Sequence, residues 1–514
     1  MKTPDFSDAP DSLPTSLGFT RRELIQGVAA LTASSLFTGC GGSVASSSQI
    51  PPSGSNPQPT PSGTLIGASL AVIATAGGSI APAFAGLSYE KSQVHQPVFT
   101  ASNSNLIGLF KRIGPSVLRI GGNTVDQTVW NPSGVGQTAG QVAPSDIAAV
   151  AAFVKAAGWQ CLYGINLGGS ATGATNTTLA AQEVAYAYQQ FGSSLLGIEI
   201  GNECDLYGKT GGYYDGNWSL SQFLTLWELY RSAILATTPS VPITGPADAS
   251  SISSWTIPFG QAVTKSEITL LTQHYYRGNG QSPTSTAAFL VTPDSTLVNN
   301  LATLNTGARG IGIPYRMAEC NSFYNGGASG VSNSYASSLW AIDYLFDCAL
   351  GGAVGVNFHG GGNGTGYTPI ADSNGTVVGA RPEYYGILLF TLAGQGTLYT
   401  TQLAAGGLNV TAYAVKIASG GLNLVIVNKD LTSNLTLTIQ LPQSATTATL
   451  LEMTQLSQGA TAPNLTATGG VTIQGASVLN DGTFSPSAAY TLSLSGSQLK
   501  CYVPALSAVL IQIA

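Results

Sequence analysis

Two glutamates end short apolar runs, and their types and positions would let them work as a pair. Glu203 closes the run IEIGNE, and Glu319 follows the run RMA. Two facing carboxyl groups can break an acetal bond when one is protonated and the other is ionised. A separation of ~5–5.5 Å suits retention of configuration, and ~6.5–9.5 Å suits inversion. The structural alternative is that both acids form core ion pairs with Arg119 or Arg316.

Eight short apolar runs, each followed by a polar or glycine-rich turn, recur through the middle of the chain. Segments with helical spacing lie between several of them, such as 145–157, 179–191 and 332–350. This alternation predicts a (β/α)8 TIM barrel over residues 83–390, whose strands end in one cleft. Glu203 and Glu319 end the fourth and seventh strands, whereas Glu199 lies deeper and is expected to anchor an interior network. The eight runs are 84–90, 117–123, 161–167, 197–203, 242–247, 270–276, 315–321 and 353–359.

The pattern changes after residue 390 to period-two segments broken by Gly, Asn and Ser. Such segments predict an antiparallel β-sandwich over 391–514. Residues 64–82 have the same β character, so we expect them to add a strand to the C-terminal sheet. The predicted fold class is therefore α/β, a barrel with a β-sandwich built from the C-terminal region plus an N-terminal strand.

The first 63 residues are predicted to be an export signal and a linker. TRRELIQ at 20–26 resembles a twin-arginine signal, and the apolar stretch 25–37 is too short to span a bilayer. FTGC at its end resembles a lipobox that would lipidate Cys40, so the signal covers 1–40. The alternative is a chance arginine pair before a cleaved signal, with Cys40 discarded. Residues 41–63 are rich in Gly, Ser and Pro and predict a linker. We expect an exported protein, periplasmic or on the cell surface.

Composition excludes several classes of partner. Charged residues are 8% of the chain, and its 18 Lys and Arg form no basic stripe, so nucleic acid is not expected as a partner. A chain that is 44% hydrophobic is not a disordered polyelectrolyte. Its three histidines lack ligand spacing and the five cysteines beyond Cys40 form no CxxC pair. Neither a metal nor a cofactor is predicted.

Four motifs together carry a resemblance to a known family. Asn-Glu at the fourth strand with Glu at the seventh resembles the clan A glycoside hydrolases. The whole set resembles glycoside hydrolase family 79, which contains bacterial β-glucuronidases and heparanases. The resemblance covers roughly 83–390 and extends to the sandwich in architecture. The motifs are LRIGGN at 118–123, GNE at 201–203, HYY at 274–276 and ECNSFYNGG at 319–327.

The resemblance implies a role for each matching residue. Glu203 would be the acid/base and Glu319 the nucleophile of a retaining enzyme. Asn202 would hold the sugar 2-hydroxyl, and Tyr275 would donate its hydroxyl to the nucleophile. For the tyrosines the alternative is packing at the barrel rim. Glu90 and Asn123 would bind ring hydroxyls of the sugar. A uronate carboxylate would be bound by Tyr324, the Gly326 N–H and Tyr367.

Scattered Lys and Arg favour one mode of action over another. Enzymes that cut inside sulfated polymers need clustered cations in the cleft, and Lys111–Arg112 is the only adjacent pair after the signal. We therefore expect an exo-acting β-glucuronidase whose partner is a β-glucuronide-containing oligosaccharide or glycoconjugate. The alternatives are an endo-β-glucuronidase, another clan A β-glycosidase, or a non-enzymatic surface lipoprotein that binds glycans.

Overall fold

The computed structural model describes residues 56–169, 176–209, 212–361, 366–373, 375–418 and 420–514. The export signal predicted over 1–40, Cys40 and most of the linker lie outside these residues. The described strands, in chain order, are β1 (Leu65–Ile80), β2 (Ala85–Glu90), β3 (Val117–Gly121), β4 (Val129–Trp130), β5 (Gln141–Val142), β6 (Gln160–Ile165), β7 (Leu195–Ile200), β8 (Ile243–Asp248), β9 (Leu270–Asn279), β10 (Tyr315–Tyr324), β11 (Val356–Gly361), β12 (Ile370–Ser373), β13 (Thr376–Ala380), β14 (Gly396–Ala404), β15 (Val410–Ile417), β16 (Leu422–Asn428), β17 (Asn434–Gln440), β18 (Ala448–Gln455), β19 (Val471–Ile473), β20 (Tyr490–Thr491), β21 (Leu494–Ser495), β22 (Gln498–Val503) and β23 (Ser507–Ile513).

The described α-helices lie mainly between the barrel strands, where the sequence alternation predicted helices. Their caps follow from local chemistry, because Asn103, Asn176 and Asp294 each accept a backbone N–H in the first turn of a helix. In chain order the helices are α1 (Ser104–Ile113), α2 (Pro144–Ala157), α3 (Thr177–Phe191), α4 (Leu220–Thr237), α5 (Ile257–Ala262), α6 (Ala287–Leu290), α7 (Ser295–Ile311), α8 (Tyr335–Leu350) and α9 (Pro382–Leu392).

Eight parallel strands close into a barrel in the order β2-β3-β6-β7-β8-β9-β10-β11, with β11 pairing back to β2. Each of the eight apolar runs found in the sequence supplies one of these strands. Strands β3, β8 and β11 are buried at every residue, because side chains fill the interior and helices cover the outside. The prediction of a (β/α)8 barrel with an accompanying β-sandwich is confirmed.

Two predicted strand ends differ from those in the structure. Strand β7 ends at Ile200, so Glu203 lies in the following turn rather than on the strand. Strand β10 instead continues to Tyr324, so Glu319 lies inside it. The reason for the first difference is local: Gly201 and Glu203 adopt positive φ angles of 88° and 50°, which a strand cannot contain.

A second sheet of eleven strands accompanies the barrel, in the order β19-β18-β23-β16-β15-β14-β1-β17-β22-β21, with β20 on β18. Strand β1 pairs antiparallel with β14 and parallel with β17, so an N-terminal segment joins the two arms of the C-terminal sheet. Both arms contribute to one apolar core, which makes the sheet a sandwich. That core includes Leu70, Leu424, Leu437, Leu450 and Ile511.

Helix α8 joins the barrel to the sandwich through a polar cluster and an aromatic stack. Asp343 of α8 is paired with Lys429 and accepts hydrogen bonds from the hydroxyls of Thr411 (2.6 Å) and Tyr413 (2.9 Å). The Tyr413 ring stacks on Phe346, with ring centroids 4.2 Å apart. Because Lys429 is almost fully buried, its charge is compensated chiefly by the Asp343 carboxylate that it contacts.

Two further properties concern the thiols and the helices of the described residues. Cys161, Cys204, Cys320, Cys348 and Cys501 are all buried free thiols. None of the helices found in these residues is both long and apolar enough to cross a membrane. Export and lipidation of Cys40 stay predictions.

Replacing Lys429 by Met should lower the free energy of unfolding by about 3 kcal/mol, because Asp343 would keep a partly buried charge without its cation. The matched change Lys155→Met, at an exposed position of α2, should alter it by less than about 0.5 kcal/mol. Denaturant unfolding of both variants measures the difference. Equal effects would mean that the Asp343–Lys429 pair does not stabilise the junction.

Candidate active site

The C-terminal ends of the barrel strands bring five titratable side chains together. They come from the end of β2, the turn after β7, and strands β9, β10 and β11, and they are Glu90, Glu203, His274, Glu319 and His359. This is the end of a (β/α)8 barrel at which catalytic groups occur. The sequence prediction of one cleft containing Glu203 and Glu319 matches this arrangement.

Glu203 occupies a strained turn whose backbone is fixed on both sides. Its φ of 50° and ψ of 45° are left-handed, a conformation that costs a non-glycine residue about 1–3 kcal/mol. Its N–H donates to the Ala247 carbonyl of β8 at 2.8 Å. The side chain is 18% exposed, and its Oε1 lies 3.1 Å from His274 Nδ1. A carboxyl held in this way can reach a ligand and still exchange protons with solvent.

Glu319 is buried and surrounded by groups that favour its ionised form. Its Oε2 accepts from Arg119 Nη1 at 2.7 Å, and its Oε1 accepts from the Tyr276 hydroxyl at 2.7 Å. Burial alone would raise the pKa of Glu319. The charges of His359, His274 and Arg119 and the Tyr276 hydroxyl outweigh burial and hold this pKa well below its usual range. Glu319 is therefore a carboxylate at neutral pH.

The two carboxyl groups face each other across His274. One oxygen of Glu203, one of Glu319 and a His274 ring nitrogen all lie within 4.8 Å of one another. Among the described residues, this is the group of His, Cys, Asp and Glu side chains compact enough to hold a metal ion. The Arg119 guanidinium already pairs with Glu319 there, and its positive charge opposes the binding of a cation.

Arg119, fully buried inside the barrel, joins three strands of the site. It pairs with Glu199 at 2.6 Å and Glu319 at 2.7 Å, and donates to Asn202 Oδ1 at 2.9 Å. The expected interior network around Glu199 is present. The alternative of core ion pairs holds for Glu319, which pairs with Arg119, but not for Glu203, which contacts His274. Arg316 donates to Asn357 and to backbone carbonyls.

Glu90 lies at the end of β2, close to His359. Its Oε2 accepts from the N–H and hydroxyl of Thr124, at 2.9 and 2.6 Å, and its Oε1 lies 3.4 Å from His359 Nε2. Gly122 makes this possible, because a Cβ there would lie 2.5 Å from the Glu90 carboxylate. Burial opposes ionisation of Glu90, but His359 and Thr124 lower its pKa. Asn123 is exposed and begins the turn that contains Thr124.

His359 lies among these acids, which favour its protonated form. Its Nδ1 contacts the Ser88 hydroxyl at 2.9 Å and lies 3.9 Å from Glu319 Oε2. Burial would lower the pKa of His359, but the charge of Glu319 and the hydrogen bond to Glu90 raise it. From the sequence, His274 and His359 are expected to be core or supporting groups rather than bases, and no spacing among the three histidines marks one of them.

The role implied for Tyr275 is wrong. The Tyr275 hydroxyl donates to Asp294 at 2.7 Å, and its ring stacks on Tyr344 of α8. Tyr276 is the residue that donates to Glu319. Period two gives the reason, since Tyr276 shares a face of β9 with His274, whereas Tyr275 points toward the helices. That alternation was the available signal.

The two tyrosines implied for a uronate carboxylate both pack against Tyr276. Its ring centroid is 5.9 Å from that of Tyr367 and 6.3 Å from that of Tyr324. Tyr324 is exposed, whereas Tyr367 is buried. Gly326, with φ 78°, follows in the turn after β10, and Gly366 packs against its carbonyl. These residues thus form one side of the same cleft.

Comparison with curated proteins finds β-glucuronidases among the relatives of the chain. No family model matches the chain. It is 27% identical over 315 residues to a β-glucuronidase of Aspergillus niger, covering 52% of this chain and 55% of that protein. A β-glucuronidase of Neurospora crassa is 25% identical over 311 residues, covering 52% and 54%. The chain thus aligns with about half the length of the curated relatives it matches.

Solved structures resemble the chain over most of its length. A 4-O-α-L-rhamnosyl-β-D-glucuronidase from Fusarium oxysporum superposes with a TM-score of 0.70 at 19% identity, covering 86% of this chain and 99% of that one. A GH51 arabinofuranosidase from Xanthomonas axonopodis gives 0.61 at 16% identity, covering 87% and 100%. The chain therefore has the fold of a class of glycoside hydrolases.

Tyr276→Phe should raise the pKa of Glu319, because the variant removes a hydroxyl that donates to the ionised carboxylate. Tyr275→Phe is the matched control and should leave that pKa unchanged. Carbon-13 NMR titration of labelled glutamate side chains measures both. A shift in the Tyr275 variant alone would restore the role first implied for that residue.

Proposed function

We propose that the protein is a retaining exo-β-glucuronidase, similar to glycoside hydrolase family 79, that releases terminal β-linked glucuronic acid. The observation that carries the proposal is the pair of carboxyl groups of Glu203 and Glu319, with one oxygen of each within 4.8 Å of the other. This separation is nearer to the ~5–5.5 Å of retaining enzymes than to the ~6.5–9.5 Å of inverting ones. The β-glucuronidase relatives support the choice of sugar.

The first step would form a bond between Glu319 and the anomeric carbon of the sugar. As the carboxylate attacks, the glycosidic carbon–oxygen bond breaks, and Glu203 donates its proton to the departing oxygen. The pairing of Glu319 with Arg119 supports its assignment as the nucleophile, since this group must be ionised. The partly exposed carboxyl of Glu203 suits a group that gives up and regains a proton.

The second step would release the sugar. Glu203, now a carboxylate, takes a proton from water as the water oxygen attacks the anomeric carbon and the bond to Glu319 breaks. Two inversions at one carbon give net retention. Asn202, held by Arg119, would bind the 2-hydroxyl, whose hydrogen bond strengthens in the transition state.

The sugar would be selected by hydrogen-bond donors that carry no charge. Tyr324, the Gly326 N–H and Tyr367 would bind the uronate carboxylate, while Glu90 and Asn123 would bind ring hydroxyls. Burial and the charge of Glu319 raise the pKa of Tyr367, so its hydroxyl keeps its proton. Neutral donors stabilise an anion without adding a cation that would compete with Arg119 for Glu319.

Exo action and an exported location complete the proposal. The scattered Lys and Arg fit a short glycone better than a sulfated polymer. Export through the predicted twin-arginine signal, with a lipid anchor at Cys40, would bring the enzyme to extracellular glycans.

Glu319→Gln should abolish turnover of an activated aryl β-glucuronide, and azide should rescue Glu319→Gly with formation of the inverted product, because azide replaces the missing nucleophile. Glu203→Ala should lose far more activity on poor leaving groups than on activated ones, which need no protonation. Steady-state kinetics and proton NMR of the first product measure these effects.

Glu228→Gln is the control, since Glu228 lies on the exposed surface of α4, and it should keep wild-type activity. The wild-type enzyme should release β-glucuronic acid first. Near wild-type rates in both active-site variants would overturn the assignment of the pair, and α product first would exclude retention.

Sugar specificity is tested by the tyrosines. Tyr324→Phe and Tyr367→Phe should each lower kcat/KM for an aryl β-glucuronide by roughly ten- to a hundredfold, because each removes one donor to a carboxylate. Any residual glucosidase activity should change little, since a glucoside lacks that carboxylate. Tyr502→Phe in the sandwich is the control and should have no effect.

The wild-type enzyme should prefer glucuronide to glucoside by several powers of ten on the same reasoning. Equal turnover of β-glucoside or β-xyloside would mean that no uronate pocket exists. The protein would then be another β-glycosidase with the same glutamate pair.

A further inference from the structure

The turn that carries Asn202 and Glu203 is fixed by three backbone N–H groups, each of which donates to a different acceptor. Gly201 N–H donates to the Ile165 carbonyl of β6 at 2.8 Å, and Glu203 N–H donates to the Ala247 carbonyl of β8 at 2.8 Å. Asn202 N–H, between them, donates to the Tyr207 hydroxyl at 3.4 Å. The middle donor alone depends on a side chain, so mutation can remove its acceptor without changing the backbone.

The Tyr207 hydroxyl is in turn fixed by a buried carboxylate. It donates to Asp126 Oδ2 at 2.5 Å while it accepts from Asn202. Tyr207 is 3% exposed and packs edge-on against Tyr213, with ring centroids 5.1 Å apart. A Cβ on Gly201 would lie 3.0 Å from this hydroxyl, so the turn and the phenol are in close contact.

Asp126 connects this phenol to two other loops of the cleft. Its Oδ1 accepts from the N–H groups of Leu167 and Gly168, both at 2.8 Å, in the segment after β6. Asp126 itself belongs to the 3₁₀ turn Asn123–Gln127, which also contains the Thr124 that binds Glu90. One carboxylate therefore ties the Glu90 side of the site to the turn of Glu203.

We propose that Asp126 and Tyr207 are positioning residues that hold Asn202 and Glu203 at the distance from Glu319 that the reaction needs. Neither touches the five acids and histidines of the site; they act through the backbone of the turn. The left-handed conformation of Glu203 supports this, because such strain persists only when surrounding contacts determine it. The catalytic consequence rests on the proposed function, whereas the structural one does not.

Tyr207→Phe separates positioning from simple packing, because it keeps the ring and removes only the hydroxyl. Its crystal structure should have the Glu203 carboxyl displaced from His274 and Glu319, because the Asn202 N–H keeps only the Asp126 carboxylate as an acceptor and turns toward it. Its kcat/KM should fall about a hundredfold on an aryl glucuronide with a poor leaving group, but only about tenfold on an activated one. A packing defect would lower kcat/KM for both substrates by the same factor.

Two further variants complete the experiment. Asp126→Asn should reproduce the leaving-group effect. The amide has one acceptor oxygen in place of two, so it cannot accept from both the Tyr207 hydroxyl and the two N–H groups in the present geometry. Tyr315→Phe is the matched control. Tyr315 is the first residue of β10, and its hydroxyl donates to the Gly351 carbonyl, which follows α8. This control should leave the Glu203 position and the ratio between the two substrates unchanged.

An unmoved Glu203 and an unchanged substrate ratio in Tyr207→Phe would overturn the proposal. If the wild-type enzyme hydrolyses no glucuronide, the proposed function fails, and the position of Glu203 in the variant structure still decides whether Tyr207 sets the turn. A displaced Glu203 upholds the positioning role in either case.

Discussion

The buried guanidinium of Arg119 is the interaction on which the rest of the site depends. A fully buried cation is tolerated only when anions and acceptors surround it. Here these are Glu199, Glu319 and Asn202, which come from β7, β10 and the turn after β7. The requirement fixes the positions of two barrel strands, β7 and β10, relative to β3. Together with His359, His274 and Tyr276, Arg119 also keeps Glu319 ionised, as the proposed nucleophile must be.

The charges around Arg119 determine what kind of ligand the cleft can accept. Four acids, Glu90, Glu199, Glu203 and Glu319, lie in the same group as the guanidinium of Arg119, so the site has no surplus of fixed cations for an anionic sugar. Burial and the charge of Glu319 raise the pKa of Tyr276, as they do for Tyr367, and both phenols keep their protons. The Tyr276 hydroxyl already donates its proton to Glu319. Of these two phenols, Tyr367 is therefore the donor left for a ligand carboxylate, and hydrogen bonds to an ionised group are the stronger kind.

The barrel was predictable because eight buried strands appear in the sequence as eight apolar runs. The positions of the two glutamates were predictable because acids are rare at the ends of apolar runs. The turn of Glu203 was not, since nothing in GNE distinguishes the end of a strand from two positive φ angles. Tyr275 was chosen over Tyr276 although the alternation of β9 separates them. The contacts of His274, His359 and Asp126 depend on distant segments, so no local pattern reveals them. The N-terminal export signal lies outside the described residues and stays a prediction.

The site contains strain and buried charge that the remainder of the fold must offset. The left-handed Glu203 costs about 1–3 kcal/mol, and the ionised groups around Arg119 give up hydration. Strands buried on both faces, and a sandwich core to which β1 adds an N-terminal strand, supply the compensating apolar burial. Because the carboxyl groups are then held before any ligand binds, little reorganisation is needed when the bond breaks. A rigid site of this kind requires a large, well-packed scaffold, which explains why a cleft of few residues is built on a chain of 514.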